Sequence, residues 1–415
     1  MIRERIFVLA CTLLSVTAQA SDSIAIVHAR AHPVSAPVVE DATVVLRDGR
    51  IVSVQAGAPA PAGARVVDAG GRNLTPALFH PATQIGLSEV GSGQEATAAG
   101  KPRAGYALHY GIDANTQNIE QARADGVARA LVVPSAAGDD VFSGRALLLR
   151  LRAGADIVER TGDVVQFASI GTDGSRAHSH AAAWQRLHEE LGRARAAPAA
   201  DGGDPEASAD AVALQAVASG AAPLAIAAHR EADIRQAIAL AQRWKLRVVV
   251  VGGAEAWRVA PELAAAGIPV VLDPLDALPS DYDRLGARHD NAARLHRAGV
   301  SIAFAASAQG IYTSWNAGPS LRQAAGLAAA YGLPDDVALA AITRAPARIW
   351  GLDERIGTLA AGADADLVLW DGDPLEPATA PAAVFIAGQE IPLRTRQTRL
   401  RDRYLPASLR REAGR

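Results

Sequence analysis

The chain has 415 residues, of which 49% are hydrophobic and 20% are charged, and its formal net charge is −3 at pH 7. This composition is too apolar for a disordered chain, and the length predicts about two to three domains or one barrel-sized domain with an appendage. A charge near zero gives no reason to expect nucleic acid as a partner. The single cysteine, Cys11, excludes a disulfide framework and a cysteine-rich zinc site, whereas ten histidines are enough for a histidine-ligated metal enzyme.

The first twenty residues have the pattern of a secretory signal. Arg3 and Arg5 precede an apolar run from Ile6 to Val16, and Ala18-Gln19-Ala20 supplies the small-residue cleavage pattern. We therefore expect a cleaved signal peptide over residues 1–20 and a periplasmic protein. The apolar run is too short to cross a bilayer, and no later segment reaches 18 unbroken apolar residues, so we expect no membrane span.

Short β-branched runs follow the predicted signal peptide. The pair Asp48-Gly49 separates two of them in the manner of a two-residue hairpin. We expect residues 21–75 to form the N-terminal part of a small β-domain. The predicted strands are Ile24–Val27, Ala42–Leu46 and Ile51–Val54.

From residue 76 onward, apolar strands alternate with helical stretches. Strands this apolar are buried on both faces, which favours a parallel sheet covered by helices. The length of the segment 76–350 fits a (β/α)₈ TIM-like barrel. The predicted strands are Ala130–Val133, Val164–Ser169, Leu224–Ala228, Val248–Val251, Pro269–Leu272 and Ser301–Ala305. The predicted helices include Asn115–Ala124, Ala181–Ala194, Glu231–Trp244, Pro261–Ala266, Leu321–Tyr331 and Val337–Ile342.

Strands return near the C-terminus, at Ala365–Trp370 and Ala383–Ile386. We expect the segment 351–393 to pair with residues 21–75, so that both termini form one composite β-sandwich domain. The last 22 residues, 394–415, contain eight arginines and are predicted to be a solvated basic tail. A docking surface for an acidic partner or for membrane headgroups is the alternative for this tail.

Two terminal runs resemble the amidohydrolase superfamily, specifically its imidazolonepropionase-like branch. The first consists of Val44–Val54 followed by the run from Val66 to Leu78, where Ala77 replaces a family glycine. The second extends from Gly357 to Pro374, and Ala341–Ala347 before it resembles the helix that closes the barrel. The resemblance implies a TIM-like barrel with a composite β-domain. It also implies hydrolysis by a metal-bound water at the C-terminal mouth of the barrel.

The positions at which the resembled family binds metal hold other residues. The resemblance implies a His-x-His pair on the first barrel strand, histidines on the fifth and sixth strands, and an aspartate on the eighth. The residues at these positions are Ala82, Gln84, Ala227, Gly252 and Ser307. No lysine lies between Lys101 and Lys245, so a carboxylated lysine is absent as well. We therefore expect vacated metal-ligand positions and no cofactor.

The remaining histidines allow a rearranged site as an alternative. His80 and His229 are each displaced by two residues from a ligand position, which keeps the same facing on a strand. With Asp273, they could bind one divalent metal, and Gln84 could orient a substrate. The alternative interpretation is that they are ordinary polar residues at the mouth of the barrel, held by hydrogen bonds to each other or to water. The literal His178-Ser179-His180 is interpreted as a solvated helix start.

The sequence is compatible with three functions, of which only the second is enzymatic. The first is a protein that has lost its metal site and its hydrolytic activity. It would act as a binding or partner protein, pairing with an active amidohydrolase paralogue or with a second copy of itself. The second is a hydrolase of carbon–nitrogen bonds other than peptide bonds that uses His80, His229 and Asp273. The third is a small-molecule receptor that uses the vacated mouth.

Overall fold

The structure, a computed structural model, describes residues 23–87, 103–134, 141–161, 164–171, 179–196, 205–306, 316–352 and 354–405. The predicted signal peptide, Ser307 and residues 406–415 of the basic tail lie outside these ranges. Among the described residues, no helix is both long enough and apolar enough to cross a bilayer.

Five short strands begin the described chain. Pairing of β1, β2 and β3 places Val44 opposite Ile26 on one side and Val54 on the other, and such apolar side chains suit a half-buried pleated surface. The predicted hairpin is confirmed, because Asp48 and Gly49 have φ values of 51° and 73°, as a two-residue type I′ turn requires. The strands are β1 (Ile24–Ala31), β2 (Val39–Arg47), β3 (Arg50–Ala56), β4 (Arg65–Asp68) and β5 (Asn73–Pro76).

Strands and helices then alternate through the middle of the chain, except that four strands follow one another between residues 142 and 169. The strands are β6 (Leu78–Thr83), β7 (Val127–Val132), β8 (Phe142–Arg145), β9 (Leu147–Arg150), β10 (Val158–Arg160), β11 (Gln166–Ser169), β12 (Leu224–Ala228), β13 (Val248–Gly252), β14 (Val270–Leu272) and β15 (Ile302–Phe304). The helices are α1 (Gln117–Ala124), α2 (His180–Ala196), α3 (Pro205–Ala218), α4 (Glu231–Trp244), α5 (Ala260–Ala265), α6 (Asn291–Arg297), α7 (Ala317–Ala330), α8 (Asp335–Ala341) and α9 (Arg344–Ile349). The chain continues with β16 (Leu367–Trp370), β17 (Pro381–Ile386), β18 (Gln389–Ile391) and α10 (Arg396–Tyr404).

Strands from both ends of the described chain share one eight-stranded sheet. Its order is β18-β17-β16-β5-β1-β2-β3, and β4 pairs with β1. The two ends meet where β16 runs antiparallel to β5, with Leu369 opposite Leu74. Both side chains are buried in the same apolar cluster, so this junction is held by packing as well as by backbone hydrogen bonds.

The middle strands form two further sheets of a mixed α/β fold. One has the order β10-β9-β7-β6, and the other has the order β15-β14-β13-β12-β11-β8. The strands β11 to β15 are all parallel, and β6 is parallel to β7. Among the described residues, no hydrogen-bonded ladder joins β6 to β15, so the closure of a barrel stays a prediction.

One apolar cluster receives buried side chains from both of these sheets. Its members include Phe79 of β6, Leu131 of β7, Leu148 of β9, Phe167 of β11, Ala225 of β12, Val249 of β13, Val271 of β14 and Ala303 of β15. Helix α9 contacts both β6 and β15 and adds Ile349 to this cluster. Neighbouring residues such as Val250 and Leu272 belong to a second cluster shared with the helices. The strands are therefore buried on both faces, as the sequence predicted.

The predicted bounds of β12 and α4 agree with the structure, whereas β8 to β10 were not predicted. The run of β8 contains Ser143 and Gly144, which weaken a strand pattern, so its pairing is decided by tertiary contacts. The basic tail begins as helix α10, because Thr395 and Thr398 form a capping box. No residue of this helix is buried, which fits a solvated segment.

A buried charge network joins β7 to the residues that precede β16. The guanidinium of Arg129 is 2% exposed and donates to the carboxylates of Asp364 and Asp366. It also donates from Nε to Glu159 Oε2 over 2.9 Å. The network therefore connects the eight-stranded sheet to the sheet that contains β6 and β7.

Candidate functional site

Charged and polar side chains gather at the carboxyl ends of three neighbouring strands. His229 follows β12, Gly252 ends β13, and Asp273 follows β14. Because these strands are parallel neighbours, their carboxyl ends lie at one edge of the sheet. The three residues line one narrow pocket with room for about one water molecule. Other polar residues of its wall are Asp276, Arg288, His289 and Asn291.

The glycine at the end of β13 makes room for the imidazole of His229. A Cβ atom on Gly252 would overlap Cε1 of His229 and lie 2.7 Å from its Nε2. The φ of Gly252 is 93°, a backbone conformation that other residues rarely adopt. The predicted ligand position on the sixth strand is thus filled by the ring of His229.

Arg284 fixes the protonation pattern of His229. Its Nη2 lies 3.0 Å from Nε2 of His229. A guanidinium can only donate, so Nε2 accepts and the proton of the neutral imidazole lies on Nδ1. Arg284 is held in turn by Asp276, at 2.6 Å, and by Asp281. This arrangement positions a buried histidine and a buried arginine side by side at the pocket.

A second group of ionisable residues surrounds His180 at the start of α2. Its Nδ1 lies 2.8 Å from Asp233 Oδ2, and its Nε2 lies 3.1 Å from Asp283 Oδ1. Arg230 and Trp184 donate to Asp233 over 2.8 and 2.9 Å. Burial alone would raise the pKa of Asp233, but these hydrogen bonds and the neighbouring positive charges hold it below its usual value.

The prediction of a solvated helix start at His180 is therefore wrong in one respect. His180 does begin a helix, but its side chain is only 20% exposed and lies between two carboxylates. This group was not predicted, because Asp283 lies in a short 3₁₀ helix, Tyr282–Arg284, more than a hundred residues further along. The sequence signal that could have indicated this group is the run of aspartates after β14, at positions 273, 276, 281 and 283.

The other predicted site residues lie in different surroundings. Ala82 of β6 is buried in the apolar cluster, Gln84 is half-buried just after β6, and Ala227 lies in β12. His80 is fully buried in β6 and is absent from the wall of the pocket that His229 and Asp273 share. Its Nε2 has no hydrogen-bond partner among the described residues, and burial lowers its pKa to about 3.

The described residues do not fit a metal centre of the kind that the resemblance implies. In the part of the chain that the structure describes, no group of three or more His, Cys, Asp or Glu side chains could hold a metal ion. Ser307 lies outside this part, so the replacement of every ligand position stays a prediction.

A charged pocket at the carboxyl ends of parallel α/β strands is where enzymes of this architecture place their chemistry. The model of the amidohydrolase family matches residues 149–394, which is more than half of the chain. The chain therefore belongs to the amidohydrolase family.

Similar proteins include named hydrolases. Amidohydrolase tasK of Hapsidospora irregularis is 52% identical over 58 residues, a stretch that covers 14% of this chain and only 6% of that protein. The crystal structure of an amidohydrolase from Thermotoga maritima MSB8 covers 89% of this chain and 100% of its own, with 23% identity and a TM-score of 0.77. N-isopropylammelide isopropylaminohydrolase from Burkholderia multivorans ATCC 17616 covers 89% of this chain and 98% of its own, with 17% identity and a TM-score of 0.52.

These findings correct the first functional hypothesis of the sequence analysis. That hypothesis assigned a binding or partner protein without hydrolytic activity, from the residues at positions 82, 84, 227, 252 and 307. The family match and the similarity to amidohydrolase tasK contradict it and favour the hydrolase alternative. This hypothesis gave the most weight to the inherited ligand positions, although one fold supports several kinds of site.

Proposed function

We propose that this protein is a hydrolase of carbon–nitrogen bonds other than peptide bonds. In this proposal the pocket of His229 and Asp273 holds the attacking water, and the substrate binds at the opening of the pocket. The observation that carries the proposal is the position of these two side chains. They follow adjacent parallel strands at their carboxyl ends, in a chain that belongs to the amidohydrolase family.

Hydrolysis of such a bond needs a base, a group that stabilises negative charge and a proton for the leaving nitrogen. In the proposal, the carboxylate of Asp273 takes a proton from water as the water oxygen bonds to the substrate carbon. Arg288, which lines the same pocket, donates to the oxyanion that develops. The proton on Asp273 then passes to the nitrogen as the carbon–nitrogen bond breaks, so that water is consumed and an amine or ammonia is released.

His229 acts as a positioning residue in this scheme. Its ring is fixed by Gly252 behind it and by Arg284 at Nε2, so the edge that carries Nδ1–H has a defined orientation. Asp273 is fixed by its own turn, because the amide of Leu275 donates to Oδ1 over 2.9 Å. Fixed polar groups of this kind are what a hydrolytic site needs before the substrate arrives.

The test is a screen of the purified chain for release of ammonia or amine from amides, lactams, N-acyl amino acids and amino-substituted heterocycles. Once a substrate is found, Asp273→Asn should reduce kcat/KM by about 10²- to 10⁴-fold, as expected for the loss of a general base. Asp113→Asn is the matched control, because Asp113 accepts from the amide two residues ahead in the same way and does not line the pocket. Equal activity of the two variants would rule out this assignment.

The finer features of the fold belong to the same proposal. We infer that β6 to β15 close into a (β/α)₈ barrel, which is supported by the apolar cluster that eight strands share and by the contact of α9 with both β6 and β15. The strands at both ends are proposed to form the composite β-domain of the imidazolonepropionase-like branch. Export to the periplasm after cleavage at Ala20 also remains a proposal, and fractionation of the expressing cells tests it.

A further inference from the structure

A groove lies at the opposite, amino-terminal ends of the parallel strands. Its wall includes Pro223, Arg247, Pro269 and Ser301, which immediately precede β12, β13, β14 and β15. Residues of helix α9 complete this wall. The groove has a volume of about 790 Å³, which lies within the range of small-molecule sites. It shares no residue with the pocket at the carboxyl ends.

Among the residues that the structure describes, the ionisable side chains of this groove are all basic. Arg247, Arg344, Arg348 and His296 line it, and no described aspartate or glutamate does. None of the three arginines forms an ion pair with any residue that the structure describes. Elsewhere on the surface, by contrast, Arg235 lies 3.0 Å from carboxylate oxygens of both Glu231 and Glu262. The groove therefore concentrates positive charge that the described chain does not neutralise.

The arginines of the groove destabilise the fold unless an anion binds, because their positive charges repel one another. Arg344 and Arg348 are four residues apart on α9 and thus lie on one face of the helix, where like charges repel. The guanidinium of Arg247 lies against Gly351, where a Cβ atom would overlap Nη2. Val34 also lines the groove and has a φ of 66°, a strained conformation for a β-branched residue. Strain of this kind is concentrated at binding sites.

We propose that this groove binds a small polyanion that carries phosphate or carboxylate groups. Planar guanidinium groups match both oxyanions with paired hydrogen bonds, and two of them on one helical face suit two anionic groups of one ligand. The concave shape and the volume favour a small molecule over a flat macromolecular surface. The site is separate from the proposed hydrolytic pocket, so either proposal can fail without the other.

Isothermal titration of the full chain with inorganic pyrophosphate and with citrate tests the inference, at constant ionic strength set with sodium chloride. We expect saturable one-to-one binding of at least one of them, and the double variant R344Q/R348Q should bind at least about tenfold more weakly. Stronger binding of pyrophosphate indicates a phosphate ligand, and stronger binding of citrate indicates a carboxylate ligand. Arg47→Gln, at an exposed arginine outside the groove, should bind as the unchanged protein does.

The same titrations can overturn the proposal. Absence of saturable binding for both anions, or equal affinity in the double variant and the unchanged protein, contradicts it. If the double variant does not fold, as judged by circular dichroism, Arg247→Gln replaces it, because this arginine is exposed and lies outside α9. The variant should then lose affinity for the same anion about tenfold, and unchanged affinity would contradict the proposal.

Discussion

Replacement of Arg129 by methionine tests whether buried charges hold the eight-stranded sheet against β7. Methionine keeps most of the aliphatic stem and removes the guanidinium. Burial alone would lower the pKa of Arg129, but the charges of Asp366, Glu159 and Asp364 outweigh it and raise the pKa above its usual value. The group is therefore a charged partner of carboxylates that are only 6% and 7% exposed.

The expected loss of stability depends on which charges still surround Asp364 and Asp366 after the substitution. Removal of one partner from a buried ion pair costs about 3–5 kcal/mol, because the other charge stays buried. Arg50 still lies 2.9 Å from Asp364, and Arg150 still lies 2.8 Å from Asp366. These two arginines compensate part of the buried charge, so we expect the lower end, about 3 kcal/mol. That is a large fraction of the 5–15 kcal/mol that typically separates folded from unfolded proteins.

Urea unfolding followed by tryptophan fluorescence and circular dichroism measures the loss. The control is Arg399→Met, because Arg399 makes a paired contact with Glu120, at 2.6 and 3.0 Å, but is 48% exposed. An exposed pair contributes at most about 1 kcal/mol, so this variant should unfold close to the unchanged protein. If Arg129→Met loses no more stability than Arg399→Met, the buried network does not hold the two sheets together.

Three further predictions follow from single residues. Gly252→Ala should displace the ring of His229 and lower the kcat/KM of the proposed hydrolysis about tenfold or more, whereas Gly154→Ala, at a similar φ of 92° with open space around it, should not. Burial raises the pKa of Asp125 to about 6, so ionisation of this carboxyl destabilises the fold as pH rises from about 4 to 6. Asp125→Asn should therefore stabilise the protein by up to about 3 kcal/mol at pH 8 and by little at pH 4. Thermal melts across this pH range measure the difference. Burial lowers the pKa of His80 to about 3, so below pH 6.5 the unfolded chain gains a proton that the folded chain does not. His80→Leu should reduce the slope of the unfolding free energy against pH in this acid range by up to about 1.4 kcal/mol per pH unit. An unchanged slope would contradict this prediction.

The sequence determined the elements whose signals are local. Leu224–Ala228 and Glu231–Trp244 have the predicted bounds, because an unbroken apolar run and a helical repeat are each contained within one short segment. The family was also recognisable from two terminal runs, and the model match to residues 149–394 agrees with it. His229 and Asp273 were predicted at strand ends from the sequence, and the structure brings both to one pocket.

Only the tertiary structure decided which distant charges meet. Arg129 and Asp364 are 235 positions apart, and no local pattern predicts that they share a buried site. The roles of His180 and Gly252 also depend on neighbours from other elements, namely two aspartates and the ring of His229. The signals that predicted β12 and α4 lie within a few positions of each other, whereas a site depends on burial and on contacts that form only when the chain is folded.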